Sequence, residues 1–448
     1  MSIKEHIENV QSGKIRLVDT VKKWLNEAKK INKEYHYFTA ISDDLAISLA
    51  KAVENNPKGK LAGLPVSVKD CICVKGVESA AGSRILGSYK PPYNATVVDR
   101  LIHEGAIIIG KTSQDAFGFG SFSLNTEDPP KNPFDKSRVT GGSSGGAAGI
   151  TQKASFPHVA IAESTGGSIS NPAAFCGVVG LTPTYGIISR YGLIDYGSSL
   201  DKIGIMAKDT ESARIVFDVI KGHDPHDSTS VIPNVKADNQ IRKVAVIKES
   251  LDINKGIKAL VLDKLKGMNL KYDIVSMPLT FKYGLAAYYI IALSEASTNL
   301  AKYCGLRYGM HLPLKDYYNR YFSSVRGKFF SKEAKRRVIL GTFTRMAGYR
   351  DAYYLKALKV RTLMINEYKQ LFNKYSLLIS PSMPITAPKQ NEVSKLEPID
   401  VYRMDILTVG PNLAGLPHIS IPCGYIDKLP VGVMFIADHF MEDKLLRL

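Results

Sequence analysis

Two glycine-rich segments constrain this chain more than any other feature: Thr140-Gly141-Gly142-Ser143-Ser144-Gly145-Gly146 and Ser164-Thr165-Gly166-Gly167-Ser168-Ile169-Ser170-Asn171-Pro172. Paired glycines let the backbone turn tightly and bring its N–H groups against a small anion. The apolar run His158–Ala162 predicts a strand feeding the second segment, and Ile169–Phe175 predicts a short helix after it. Ser168 then falls at a strand–turn–helix junction, where the N–H groups of a helix start favour an oxyanion. A hydroxyl beside such donors offers the two requirements of acyl transfer, a nucleophile and an oxyanion hole. No histidine stands nearby as a base. Lys69, in the apolar run Leu64-Pro65-Val66-Ser67-Val68-Lys69-Asp70, fits that part. A lysine buried at the end of a hydrophobic strand loses solvation, and its lowered pKa lets it act as a neutral base. Asp70 does not tie it up, because adjacent strand residues point to opposite faces.

The rest of the chain reads as alternating elements. Leu17, Val18, Val21, Trp24, Leu25 and Ala28 form a helical stripe, and 60–74 and 106–110 read as buried strands. The segment 125–138 is rich in Pro, Asn and Asp and is expected to be loop. Further strands are expected at 243–247, 272–275, 377–379, 418–421 and 431–436, and a long helical stretch at 282–375 with breaks near 305–313. Such alternation predicts an α/β fold with helices on both faces of a large sheet. One domain over 1–448 is expected, with N-terminal helices in 1–55, a core over about 60–210 and a helical insertion over about 280–375. Hydrophobic residues make up 45% and charged residues 23%, as in ordinary globular proteins. The five cysteines are odd in number and sit in apolar contexts, which predicts reduced thiols and not a disulfide framework. Charges at Lys4 and Glu5 exclude a signal peptide there, and no segment reaches membrane-spanning length, so a cytoplasmic protein is expected. The net charge of +17 fits a lysine-rich surface or contact with RNA or an RNA-binding partner, but no RNA-binding module is visible.

At these glycine–serine segments and at Lys69 the chain resembles the amidase signature family, hydrolases with a Ser–cis-Ser–Lys triad. The resemblance places Ser168 on the nucleophile, Ser144 on the bridging serine after a cis peptide with Ser143, and Lys69 on the base. It implies the family fold, a large mixed sheet sandwiched between helices, and an oxyanion hole from the N–H groups of Thr165, Gly166 and Gly167. Leu181–Gly186, Ser189–Ile194, Ser199–Gly204, Gly222–Ser230 and Asn412–Pro417 are similar to one branch, the glutamine-hydrolysing subunits of tRNA-dependent amidotransferases. The chain departs from the usual signature at Ser164 and Ser170, where many members carry aspartate and arginine. Losing both charges together removes a pair and strands neither.

Membership of that branch implies a subunit that releases ammonia from glutamine, with B and C subunits as partners and Glu-tRNA(Gln) as the substrate of the complex. Neither a cofactor nor a metal is expected in this chain. Its one match to Gly-x-x-x-x-Gly-Lys-Ser/Thr, Gly105–Thr112, is filled by the strand run 106–110 and is not a phosphate-binding loop, so ATP and Mg are expected to act on a partner subunit. Glutamine needs a cation for its α-carboxylate and an anion for its α-ammonium; by resemblance these are Arg337 (with Arg336 one residue away) and Asp405, with Tyr289 lining the pocket. His223-Asp224-Pro225-His226-Asp227 offers ligand types, but Pro225 and its polar flanks predict a surface turn. The competing expectations are a stand-alone amidase acting on another amide and a non-catalytic RNA-associated scaffold.

Overall fold

The apolar runs assemble into one mixed sheet of eleven strands, in a computed structural model that describes residues 1–234, 240–315 and 317–448. In chain order the strands are β1 (Phe38–Ile41), β2 (Pro65–Lys69), β3 (Ile107–Thr112), β4 (Val159–Ser164), β5 (Val179–Thr182) and β6 (Lys202–Ala207). They continue with β7 (Val244–Ile247), β8 (Tyr272–Val275), β9 (Leu377–Pro381), β10 (His418–Ile426) and β11 (Leu429–Ile436). Across the sheet they run β1-β3-β2-β4-β6-β5-β10-β11-β9-β7-β8. β2 is parallel to both β3 and β4, and β7 is parallel to β8 and β9, while the remaining pairs are antiparallel. Helices flank the sheet, so the expected α/β class and layering describe the molecule.

The parallel trio β3-β2-β4 sets up the site. Every residue of these strands is buried, which explains their unbroken apolar runs. Val66, Ser67 and Val68 pair with Val159, Ala160 and Ile161, so the carboxyl ends of β2 and β4 lie side by side. Lys69 ends β2 and Ser164 ends β4. Open α/β sheets bind ligands beyond the carboxyl ends of their strands.

Helices close over this edge through glycines. Helix Gly145–Lys153 presses on Tyr37, and a Cβ at Gly149 would stand 2.1 Å from the tyrosine ring. Helix Ser170–Cys176 is buried throughout. The helix Leu17–Tyr35 buries Leu17, Val21, Trp24, Leu25 and Ala28, the stripe read from the sequence. The long helical stretch resolves into Pro278–Asn299, Tyr318–Phe329, Lys332–Phe343 and Lys356–Phe372. No helix among the described residues is long and apolar enough to cross a membrane.

The expected strand over 60–74 is shorter, and β1, β5 and β6 carry no clear signal in the sequence. β5 and β6 contain Gly180 and Gly204, which weaken a strand pattern. Both glycines answer to close approach: a Cβ at Gly204 would lie 2.2 Å from the Leu181 carbonyl oxygen, and one at Gly180 would lie 2.7 Å from Ala173 Cβ.

Candidate active site

Lys69 is fully buried at the end of β2. Its Nζ donates to Ser143 Oγ at 2.8 Å, to the Glu163 carbonyl oxygen at 2.9 Å and to Glu163 Oε2 at 2.9 Å. Asp70, as expected, faces the other way: it accepts from the Gly82 N–H at 2.7 Å and lies 3.8 Å from Lys111 Nζ.

The serine that meets Lys69 is one residue earlier than the expected bridge, Ser144. The cis peptide joins Gly142 to Ser143, not Ser143 to Ser144. Ser143, and not Ser144, turns its hydroxyl to Lys69. Ser144 opens the helix Gly145–Lys153 and donates instead to the Glu163 carbonyl oxygen at 3.1 Å. Both serines are buried between glycine pairs, so neither burial nor spacing in the sequence separates them. The direction of the side chain decides.

Ser168 follows β4 after the turn Thr165–Gly167, one residue before the helix Ser170–Cys176 and its cap Ile169. It opens on a small cavity lined by Gly142, Gly166, Gly167, Tyr289, Arg337 and Asp405, among others. The turn admits only glycine at two points. A Cβ at Gly166 would meet the Tyr288 ring at 2.3 Å, and one at Gly167, where φ is +153°, would meet Thr408 Oγ1 at 2.2 Å. The Gly167 N–H donates to Ser164 Oγ at 3.2 Å. Ser164 and Ser170 are both fully buried, and Ser170 Oγ has no hydrogen-bond partner. The Thr165 side chain points away from the cavity, toward Glu163 and Asp201.

Opposite Ser168 stand one cation and one carboxyl group. Arg337 is 3% exposed, donates to Glu333 Oε1 at 2.7 Å and to the Tyr196 hydroxyl, and lies over the ring of Phe119 at 4.9 Å. A guanidinium carries five N–H donors, so these contacts leave donors for a ligand. Arg336 pairs with Glu333 from a more exposed position and lines only the outer cleft, about 320 Å³, that adjoins the cavity. Asp405 Oδ2 accepts from Tyr289 at 2.6 Å and from Ser121 at 2.9 Å. Burial pushes its carboxyl up to about 6, against these two hydrogen bonds. Asp115, buried beneath the first glycine segment, is likewise pushed up to about 6 by burial.

The profile of the family described as Amidase matches residues 19–446. The chain belongs to the amidase family. It is 43% identical, over 96% of its length and 91% of the relative's, to the A subunit of the glutamyl-tRNA(Gln) amidotransferase of Halothermothrix orenii. It is also 43% identical to the corresponding A subunit of Archaeoglobus fulgidus, covering 100% of this chain and 97% of that one. Among solved structures, the A subunit of the Thermotoga maritima amidotransferase superposes with a TM-score of 0.81 at 34% identity, covering 100% of this chain and 93% of that one.

Two acidic residues of this site escaped the sequence reading. Glu163 is a charged residue directly after the apolar run Val159–Ala162 and just before the glycine turn, and that break in pattern was the available signal. Asp201 comes from the segment before β6 and reaches Thr165 only through tertiary packing. The His223–Asp227 stretch is a staple: Asp224 accepts from Thr96, Ser189 and His226. Among the described residues no group of His, Cys, Asp and Glu is placed to hold a metal ion.

Proposed function

We propose that this protein is the glutamine-hydrolysing subunit of a tRNA-dependent amidotransferase, using Ser168, Ser143 and Lys69 as nucleophile, bridge and base. The observation that carries the reading is the cavity at Ser168, which holds a buried guanidinium and a buried carboxyl group together. That pair matches the α-carboxylate and α-ammonium of an amino acid, and the full-length similarity to amidotransferase A subunits supplies the reaction.

Glutamine enters through the outer cleft, with Arg337 on its carboxylate and Asp405 on its ammonium. Ser168 Oγ attacks the side-chain carboxamide carbon while its proton passes through Ser143 to the neutral Lys69 amine. N–H groups of the turn Thr165–Gly167 hold the oxyanion, with the carbonyl of substrate displacing Ser164 from Gly167. The C–N bond breaks as the amide nitrogen takes the proton back from Lys69 through Ser143, and ammonia leaves. Water then attacks the ester, giving its proton along the same path, and releases glutamate and Ser168. Ammonia passes to the partner B and C subunits, where ATP and Mg activate Glu-tRNA(Gln). The compartment is the cytoplasm, where translation uses the product.

The test is transamidation. Combined with its B and C subunits, the protein should convert Glu-tRNA(Gln) to Gln-tRNA(Gln) with glutamine and ATP. Glutamine hydrolysis with no transfer in that mixture would point to a stand-alone amidase.

A further inference from the structure

Behind Lys69 lies a sealed row of groups that the reaction above does not use. Glu163 Oε2 pairs with Lys69 Nζ at 2.9 Å, with the two side chains 4% and 0% exposed. The other oxygen, Oε1, lies 2.8 Å from Thr165 Oγ1, and the same Oγ1 lies 2.8 Å from Asp201 Oδ1. A hydroxyl has one hydrogen, so Thr165 donates to one carboxyl group and must accept from the other. One of the two therefore carries a proton. Glu163 has Lys69 Nζ against it, whereas Asp201 is fully buried, accepts from the N–H groups of Tyr196 and Gly197, and lies near the Glu163 and Asp195 carboxyl groups. Burial pushes the Asp201 carboxyl well up, and the Glu163 charge adds to it. The proton is placed on Asp201, and Thr165 turns its own hydrogen to Glu163.

We propose that Glu163 is a positioning residue for Lys69: its carboxyl group, backed by Thr165 and Asp201, holds Nζ against Ser143, and the charge it places there sets the pH profile of proton transfer through Ser143. An anion at this distance favours the ammonium, while burial favours the amine. Other ionisable groups face the row. Asp115 bears on Lys69, and the Cys71 thiol, two residues on, is pushed up by burial. The Lys111–Asp70 pair stands beyond Cys71, and Asp195 lies near Asp201.

This inference rests on Lys69 being the base. It is tested by the pH dependence of kcat for glutamine hydrolysis by the full chain in its complex. Glu163→Gln keeps an acceptor oxygen for Lys69 and removes the charge. Its acid limb should move to lower pH by at least about one unit, a tenfold gain in amine at a given pH on the limb, with KM unchanged. Asp201→Asn presents a donor where the acid stood and should leave the limb in place. Should turnover of Glu163→Gln be too slow to profile, the burst of Ser168 acylation by a p-nitrophenyl ester reads the same limb. A limb that stays put, moves upward or vanishes from both assays in Glu163→Gln overturns the inference. Survival of activity in Lys69→Ala would instead overturn the assignment of the base.

Discussion

Ser143 and Ser144 are neighbours of identical chemistry, and only one of them meets Lys69. Ser143→Ala should lower kcat about a hundredfold or more, the loss expected when a proton-transfer group is removed. Ser144→Ala removes one ordinary hydrogen bond, about 1 kcal/mol, and should leave kcat within about tenfold of the wild type. Equal damage in steady-state assays would return the bridge to an open choice between them. For the anchors, Arg337→Ala should reduce kcat/KM for glutamine by about ten- to a hundredfold, since a charged hydrogen bond is worth roughly 1.5–3 kcal/mol. A simple amide without an α-carboxylate should be almost indifferent; equal losses for both would make Arg337 structural. Asp405 gives a pH signature. Its carboxyl is raised to about 6, so it is neutral below that pH and anionic above. KM for glutamine should therefore rise as pH falls through about 6, and a flat KM between pH 7.5 and 5 would remove Asp405 from ammonium binding. The placement of Lys69 at a buried strand end and of Ser168 between a strand and a helix was legible from apolar context. The bridge was not, because two adjacent buried serines look alike until the backbone aims them.

His158 ties β2, β4 and the helix Gly145–Lys153 together: its ring nitrogens meet Ser67 Oγ at 3.0 Å and Thr151 Oγ1 at 3.3 Å. Burial pushes it down to about 3 from 6.5. A folded pKa below the unfolded one contributes stability that is present above pH 6.5 and lost as pH falls toward 3. At about 1.4 kcal/mol per unit, the whole window is worth on the order of 5 kcal/mol. Urea midpoints at pH 7 and pH 5 should show a clear drop for the wild type and a smaller one for His158→Asn; equal drops would place the acid sensitivity elsewhere. Strands with unbroken apolar runs, β2, β3 and β4, could be read directly because both faces are covered. β5 and β6 could not, since Gly180 and Gly204 are there for contacts with Ala173 and Leu181 that exist only after folding. Asp201, which enters the site with β6, was hidden for the same reason.

Across the whole molecule, the family profile spans residues 19–446, and the sheet joins segments from both halves of the chain into one site. Arg337 and Asp405 come from far beyond the glycine segments, so their meeting with Ser168 depends on the complete fold. The net charge of +17 gives no such specificity; it bears on association with RNA-containing partners but names none. The division of labour between subunits is the larger claim, and one variant separates it from every rival. Ser168→Ala should abolish formation of Gln-tRNA(Gln) from glutamine in the assembled complex, yet leave the rate with ammonium chloride near that of the wild type. Glutamine-dependent transfer that survives in Ser168→Ala, or loss of the ammonium-dependent reaction along with it, would contradict the account.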